Sequence, residues 1–186
     1  MRHELYRMHE RFAYYDSLSA ASKRTYRKSD AIERVEVPGI EALVPAGRAV
    51  QPALEAGDRA ATEAACQALI DALNAQLGTP AVRVQIFERR PHNAGGELHG
   101  LYEPDEVTGG VARISVWMRT ARKEQVVKFR TFLRTLLHEA CHHFDYELYG
   151  LPETFHTQGF YNRENSLFKA LLAEGPGASS PAPRSS

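Results

Sequence analysis

The sequence predicts an α+β fold. Three features carry that expectation: a helical apolar period from Asp58 to Leu77, strand-like alternation near Val82 and near Ile114, and a long amphipathic stretch ending at Gly150. In the first of these, Asp58 can accept hydrogen bonds from the free amides of a first helical turn. Ala61, Ala65, Leu69, Ile70, Leu73 and Leu77 recur near the helical period and are expected to face the core, and Gly78 and Pro80 stop the helix. Val82, Val84 and Ile86 alternate with Arg83, Gln85 and Phe87, as in a half-buried strand. Gly96 to Tyr102 is a weaker strand candidate. Ile114, Val116 and Met118 alternate with Ser115, Trp117 and Arg119 after a Thr108-Gly109-Gly110 turn. Short connections favour an antiparallel or mixed three-stranded sheet.

Arg122 to about Gly150 reads as the strongest helix. Phe129, Phe132, Leu133, Leu136, Leu137, Ala140 and Phe144 stand three and four apart, giving one apolar face. Gly150 and Pro152 end it, and a further helix is expected from about Gly159 to Glu174, with Phe160, Leu167, Phe168 and Leu171 inward. The first fifty residues are rich in Arg, Tyr and Ser and read as a peripheral segment in which Pro38, Gly39, Pro45 and Gly47 mark a loop. Residues 51–174 then form the main domain, and 175–186 read as a disordered tail.

Composition excludes some classes. With 186 residues, 43% apolar and 25% charged, the chain can bury a core without staples. Two distant cysteines, Cys66 and Cys141, make no disulfide framework and suit a reducing compartment. The start has no apolar run of export-signal type and no stretch approaches a membrane span, so a cytoplasmic protein is expected. Net charge is zero, but its distribution is uneven. Residues 111–134 hold seven basic residues and one acid, whereas 135–174 hold six acids and two bases. The basic run and the Arg/Tyr-rich start leave DNA as a candidate partner.

The chemistry is concentrated in His138-Glu139-Ala140-Cys141-His142, an H-E-x-x-H pattern. Residues four apart on a helix differ by about 40° and about 6 Å of rise, so both imidazoles can reach one metal ion. Glu139 lies about 100° around the helix, where it can reach water rather than the ion. A catalytic zinc usually takes a third protein ligand. His156, just beyond the Gly150-Leu151-Pro152 turn, is the preferred candidate, ahead of Glu164 and Glu153. Asp145 reads equally as an outer support for an imidazole or as a solvated acid. His143 and Cys141 read as non-ligands. Tyr146, Tyr149 and Tyr161 read as packing residues before oxyanion donors. The strand from Ala112 to Thr120, if it is a sheet edge, can receive an extended peptide.

The order of helix, three strands, H-E-x-x-H helix and a His156-x-x-x-Phe160 segment opening another helix resembles the SprT-like zinc metallopeptidases, which have the zincin fold. The resemblance spans about Asp58 to Glu174. It implies a zincin-like arrangement: a small three-stranded sheet packed with a long H-E-x-x-H helix and flanking helices. It further implies one zinc ion on His138, His142 and His156, Glu139 as general base, a protein or peptide substrate, and proximity to DNA. Two features depart from the family pattern: Phe155 rather than glycine precedes His156, and no cysteine-rich ribbon follows. A gluzincin-like arrangement would use Glu164 instead. The expectation from another class is a non-catalytic zinc-containing module that binds DNA or a protein partner.

Overall fold

The computed structural model describes residues 14–93, 96–121 and 124–173. Tyr6, Arg7, Arg11, Phe12, Arg122, Lys123 and the expected tail lie outside the described residues. Six α-helices and five strands follow in the order α1 (Ala20–Asp30), α2 (Val44–Glu55), α3 (Arg59–Leu77), β1 (Val82–Arg89), β2 (His92–Asn93), β3 (Gly96–Glu97), β4 (Gly100–Glu103), α4 (Asp105–Thr108), β5 (Ala112–Arg119), α5 (Phe129–Glu147) and α6 (Gln158–Leu172). This is an α+β fold.

The main sheet has the order β1-β5-β4 and is mixed: β1 runs parallel to β5, and β4 antiparallel to it. Val84, Ile86, Ile114, Val116 and Met118 project into the core from one face. The outer edge of β1 is closed by side chains of α3. Gln67 accepts from the Val84 amide (2.8 Å) and donates to the Val82 carbonyl (3.0 Å), and Glu63 accepts from the Ile86 amide (2.8 Å). These contacts substitute for a neighbouring strand. β5, proposed from sequence as a possible edge, is instead the central strand, so the edge role passes to β4.

Two helix boundaries follow simple causes. Asp58 caps α3 by accepting from the Ala61 amide (2.9 Å), and Gly78 ends it at φ 66°. On this helix Thr62 and Cys66 turn inward and Ala61 is exposed. α5 begins at Phe129, not near Arg122. The residues just before it are extended: Val126 bridges back to Arg119, and the Val127 amide donates to the Met118 carbonyl (2.7 Å). β-branched valines favour that extended path.

Residues 14–50 do more than lie on the periphery. Tyr26, Val35, Val37, Leu43, Val44 and Val50 are buried, and the expected boundary at residue 50 falls inside α2. Pro45 lies in the first turn of α2, and Gly47 packs against Leu171 of α6, where a Cβ would meet the Leu171 Cβ and carbonyl oxygen at 3.5 Å. Phe132, Leu133, Leu136, Leu137 and Phe144 of α5 are at most 1% exposed. Each such side chain contributes about 1.5–3 kcal/mol by burial. Together they fix the rotation of α5, and therefore the direction in which His138 and His142 point. No helix among the described residues is long and apolar enough to cross a membrane.

Candidate metal centre

His138 and His142 occupy successive turns of α5, with ring centroids 4.9 Å apart. The chain then reverses. Gly150 adopts φ 57°, the Leu151 amide donates to the Asp145 carbonyl (2.9 Å), and buried Leu151 anchors the turn. That reversal returns His156 over α5, immediately before Thr157 caps α6 by accepting from the Phe160 amide (3.0 Å). The His156 Nε2 lies 3.0 Å from the His138 Nε2 and 3.1 Å from the His142 Nε2. Phe160, fully buried, packs under all three rings at centroid distances of 4.9, 4.7 and 5.1 Å. This accounts physically for the His-x-x-x-Phe spacing.

The donor set fits a metal ion. Ligand atoms of His138, His142 and His156 all lie within 4.8 Å of one another. Nitrogens bound tetrahedrally at about 2.0–2.1 Å from zinc would stand about 3.3 Å apart, close to the two separations above. On His138 and His142 the ring nitrogen facing away is also engaged. The His138 Nδ1 is 2.9 Å from the Glu164 carboxylate, and the His142 Nδ1 is 2.7 Å from the Thr154 hydroxyl. A carboxylate only accepts, so His138 carries its proton on Nδ1 and turns an Nε2 lone pair toward the other two rings. Burial, followed by repulsion from neighbouring His138, His156 and Arg163, pushes the His142 pKa down to about 2. Burial and His138 also lower that of His156. Neutral imidazoles are the metal-binding form.

Among the acids, Glu164 is not in the ligand cluster. Its carboxylate spans His138 and the Arg134 guanidinium (2.7 Å). Burial raises the Glu164 pKa, but the hydrogen bonds from His138 and Arg134 outweigh it and hold the group below its ordinary value. Glu153 is exposed and belongs to no group of clustered ligands among the described residues. Glu139 is only 6% exposed. Burial raises its pKa to about 7, against the opposing effects of His138 and the Tyr102 backbone amide, which donates to it. A carboxyl titrating near neutrality can both take and return a proton at physiological pH. Gly100 of β4 lies directly against it.

The remaining expectations sort clearly. His143 is buried away from the cluster; it lies 3.0 Å from the Pro80 carbonyl and 3.3 Å from the Tyr102 hydroxyl. Cys141 is fully buried and stands outside the cluster of ligand atoms formed by the three histidines. Tyr149 donates to the Arg34 carbonyl (3.0 Å), and Tyr146 stacks on Tyr102. Tyr161 stacks on His156 at 5.9 Å. Asp145 is buried but touches no imidazole. Thr154 stands between it and His142, a role that sequence reasoning missed because a loop threonine has no distinguishing pattern.

Two cavities meet at His138 and Glu139. One, of about 520 Å³, is lined by Leu98, Gly100, Thr131, Arg134, Thr135 and Tyr161. The other, of about 310 Å³, is lined by Leu101, Tyr102, Tyr146, Thr154 and His156. They meet at Gly100, the first residue of β4; the second continues along β4 to Tyr102 and borders all three histidines. Comparison with protein-family models, curated proteins and solved structures returns no match.

Proposed function

We propose that this chain is a zinc-dependent metallopeptidase of SprT-like type. The observation that supports it most is the convergence of the His138, His142 and His156 Nε2 atoms beside the buried Glu139 carboxyl, at the junction of two clefts. Imidazole-rich sites suit zinc among the common divalent ions. Held by His138, His142 and His156, a zinc ion would act as a Lewis acid toward a carbonyl oxygen and a water. Glu139 would serve as general base, accepting a proton from the attacking water at its carboxylate and returning it to the leaving amine. Glu164 and Thr154 hold the rings of His138 and His142 in orientation. An extended peptide lies beside β4 from Gly100 to Tyr102, in the cleft that borders all three histidines.

The second reading, a non-catalytic module that holds DNA, draws on the basic run before the motif. Three arginines of that run already have carboxylate partners: Arg113 with Glu103, Arg119 with Glu88 and Arg134 with Glu164. Local neutralisation weakens the field that would attract phosphates. The peptidase reading therefore has the better support.

Its test is Glu139→Gln, assayed for metal content and for turnover of an unfolded protein substrate. The expected variant keeps its metal and loses about 10²–10⁴-fold in turnover. Undiminished turnover in the metal-loaded variant overturns the mechanism.

A further inference from the structure

We infer that Thr154, Asp145 and Arg163 form a positioning relay that sets the His142 tautomer for metal binding and anchors it to the N-terminal helix α1. The inference rests on the metal-site reading above.

The Thr154 hydroxyl is 2.8 Å from the Asp145 Oδ2 and 2.7 Å from the His142 Nδ1. A hydroxyl has one proton. Donated to the carboxylate, that proton is not available to histidine, so Thr154 can only accept from His142. His142 must then carry its proton on Nδ1, which leaves the Nε2 lone pair facing His156 and His138. The other oxygen of Asp145 accepts from the Arg163 Nη2 (2.7 Å), and both Asp145 and Arg163 are fully buried. Arg163 in turn donates to the Ser29 carbonyl (2.7 Å) and hydroxyl (3.0 Å) in the last turn of α1, and to the Ile32 carbonyl just beyond it. An arginine so held cannot swing away from Asp145, and Asp145 cannot release Thr154.

Removing the threonine hydroxyl severs the relay at the point of contact with the metal ligand. The His142 proton is then free to move to Nε2, where it faces the cluster and competes with the ion. A role confined to packing predicts something different: stability would change, but metal affinity in the folded protein would not.

The test uses the full chain as wild type, Thr154→Val and Thr154→Ser. Zinc affinity is measured by chelator competition, thermal unfolding is followed on the metal-free proteins, and nitrogen NMR of the metal-free wild type reports the His142 tautomer. The expected results are a Kd for zinc raised about 10–100-fold in Thr154→Val, recovery in Thr154→Ser, and an Nδ1-protonated His142 in the wild type. Folded Thr154→Val that binds zinc as tightly as wild type overturns the relay and leaves the peptidase reading intact. So does an Nε2-protonated His142, or a Thr154→Ser that fails to recover. A wild type that binds no zinc overturns both.

Discussion

Replacing Gly100 with alanine tests how closely β4 must approach the proposed general base. Gly100 needs no left-handed backbone, since its φ lies outside the positive range, so only space is at issue. An added Cβ would lie 2.8 Å from the Glu139 Cγ and 2.9 Å from its Cδ, and closer still to Oε1. Ordinary contact begins at 3.4 Å, so the Glu139 Cγ or the strand must move by at least 0.6 Å. Glu139 is nearly buried, and its Cγ is not a free end that can swing into solvent. Overpacking of this kind costs about 1–3 kcal/mol. At roughly 2–4 °C per kcal/mol for a chain of this size, the thermal midpoint should fall by about 2–12 °C. Misplacing a reacting group by about 1 Å costs on the order of 10²-fold in rate. Gly100→Ala should therefore turn over substrate about 10–100-fold more slowly, with zinc stoichiometry unchanged because no imidazole is displaced. Turnover and metal content are measured on the same preparation. Wild-type turnover, or loss of zinc with Glu139 undisturbed, refutes the reasoning.

Three other outcomes follow from the same geometry. Gly159→Ala would drive a Cβ into the backbone of Asp30 and Ser29 (2.7 Å from the Ser29 oxygen), where neither side can swing aside, so a lowered thermal midpoint is expected, and an unchanged one contradicts the α1–α6 packing. His156→Ala should lose most zinc affinity while staying folded, whereas Glu153→Ala should bind like wild type; the reverse pattern in chelator competition would reassign the third ligand. In the metal-free protein, burial raises the Glu139 pKa from 4.5 to about 7. The folded state thus favours the protonated carboxyl, and Glu139 costs stability progressively as pH rises from 4.5 to about 7, by roughly 3 kcal/mol at most. Metal-free Glu139→Gln should gain on wild type across that window and hold a constant advantage above it. Denaturant titrations that find a pH-independent gap would contradict the burial of this group.

Much of the site is legible in sequence because it rests on local periodicity. His138 and His142 share a helix face set by the apolar residues around them, and the Gly150–Pro152 reversal points His156 back toward them. What the sequence hides is tertiary. Glu164 reads as a possible ligand because its residue type suits one; only the fold shows it holding the far side of the His138 ring. The strand order is hidden for a related reason. β1 and β5 each look like strands, but nothing local tells that β5 inserts between β1 and β4. The contribution of α1 is masked by its composition. Its buried residues are Thr25, Tyr26 and Ser29 rather than an aliphatic stripe, and of these Ser29 meets Arg163 and Thr157 by hydrogen bonds. A polar helix with that pattern looks peripheral until its partner is known.

Elemental metal analysis of the untagged protein, wild type beside His142→Ala, tests the central claim most directly. One equivalent of zinc in wild type, absent from the folded variant, is the predicted result. A folded wild type that carries no zinc and takes up none when it is supplied would contradict the account.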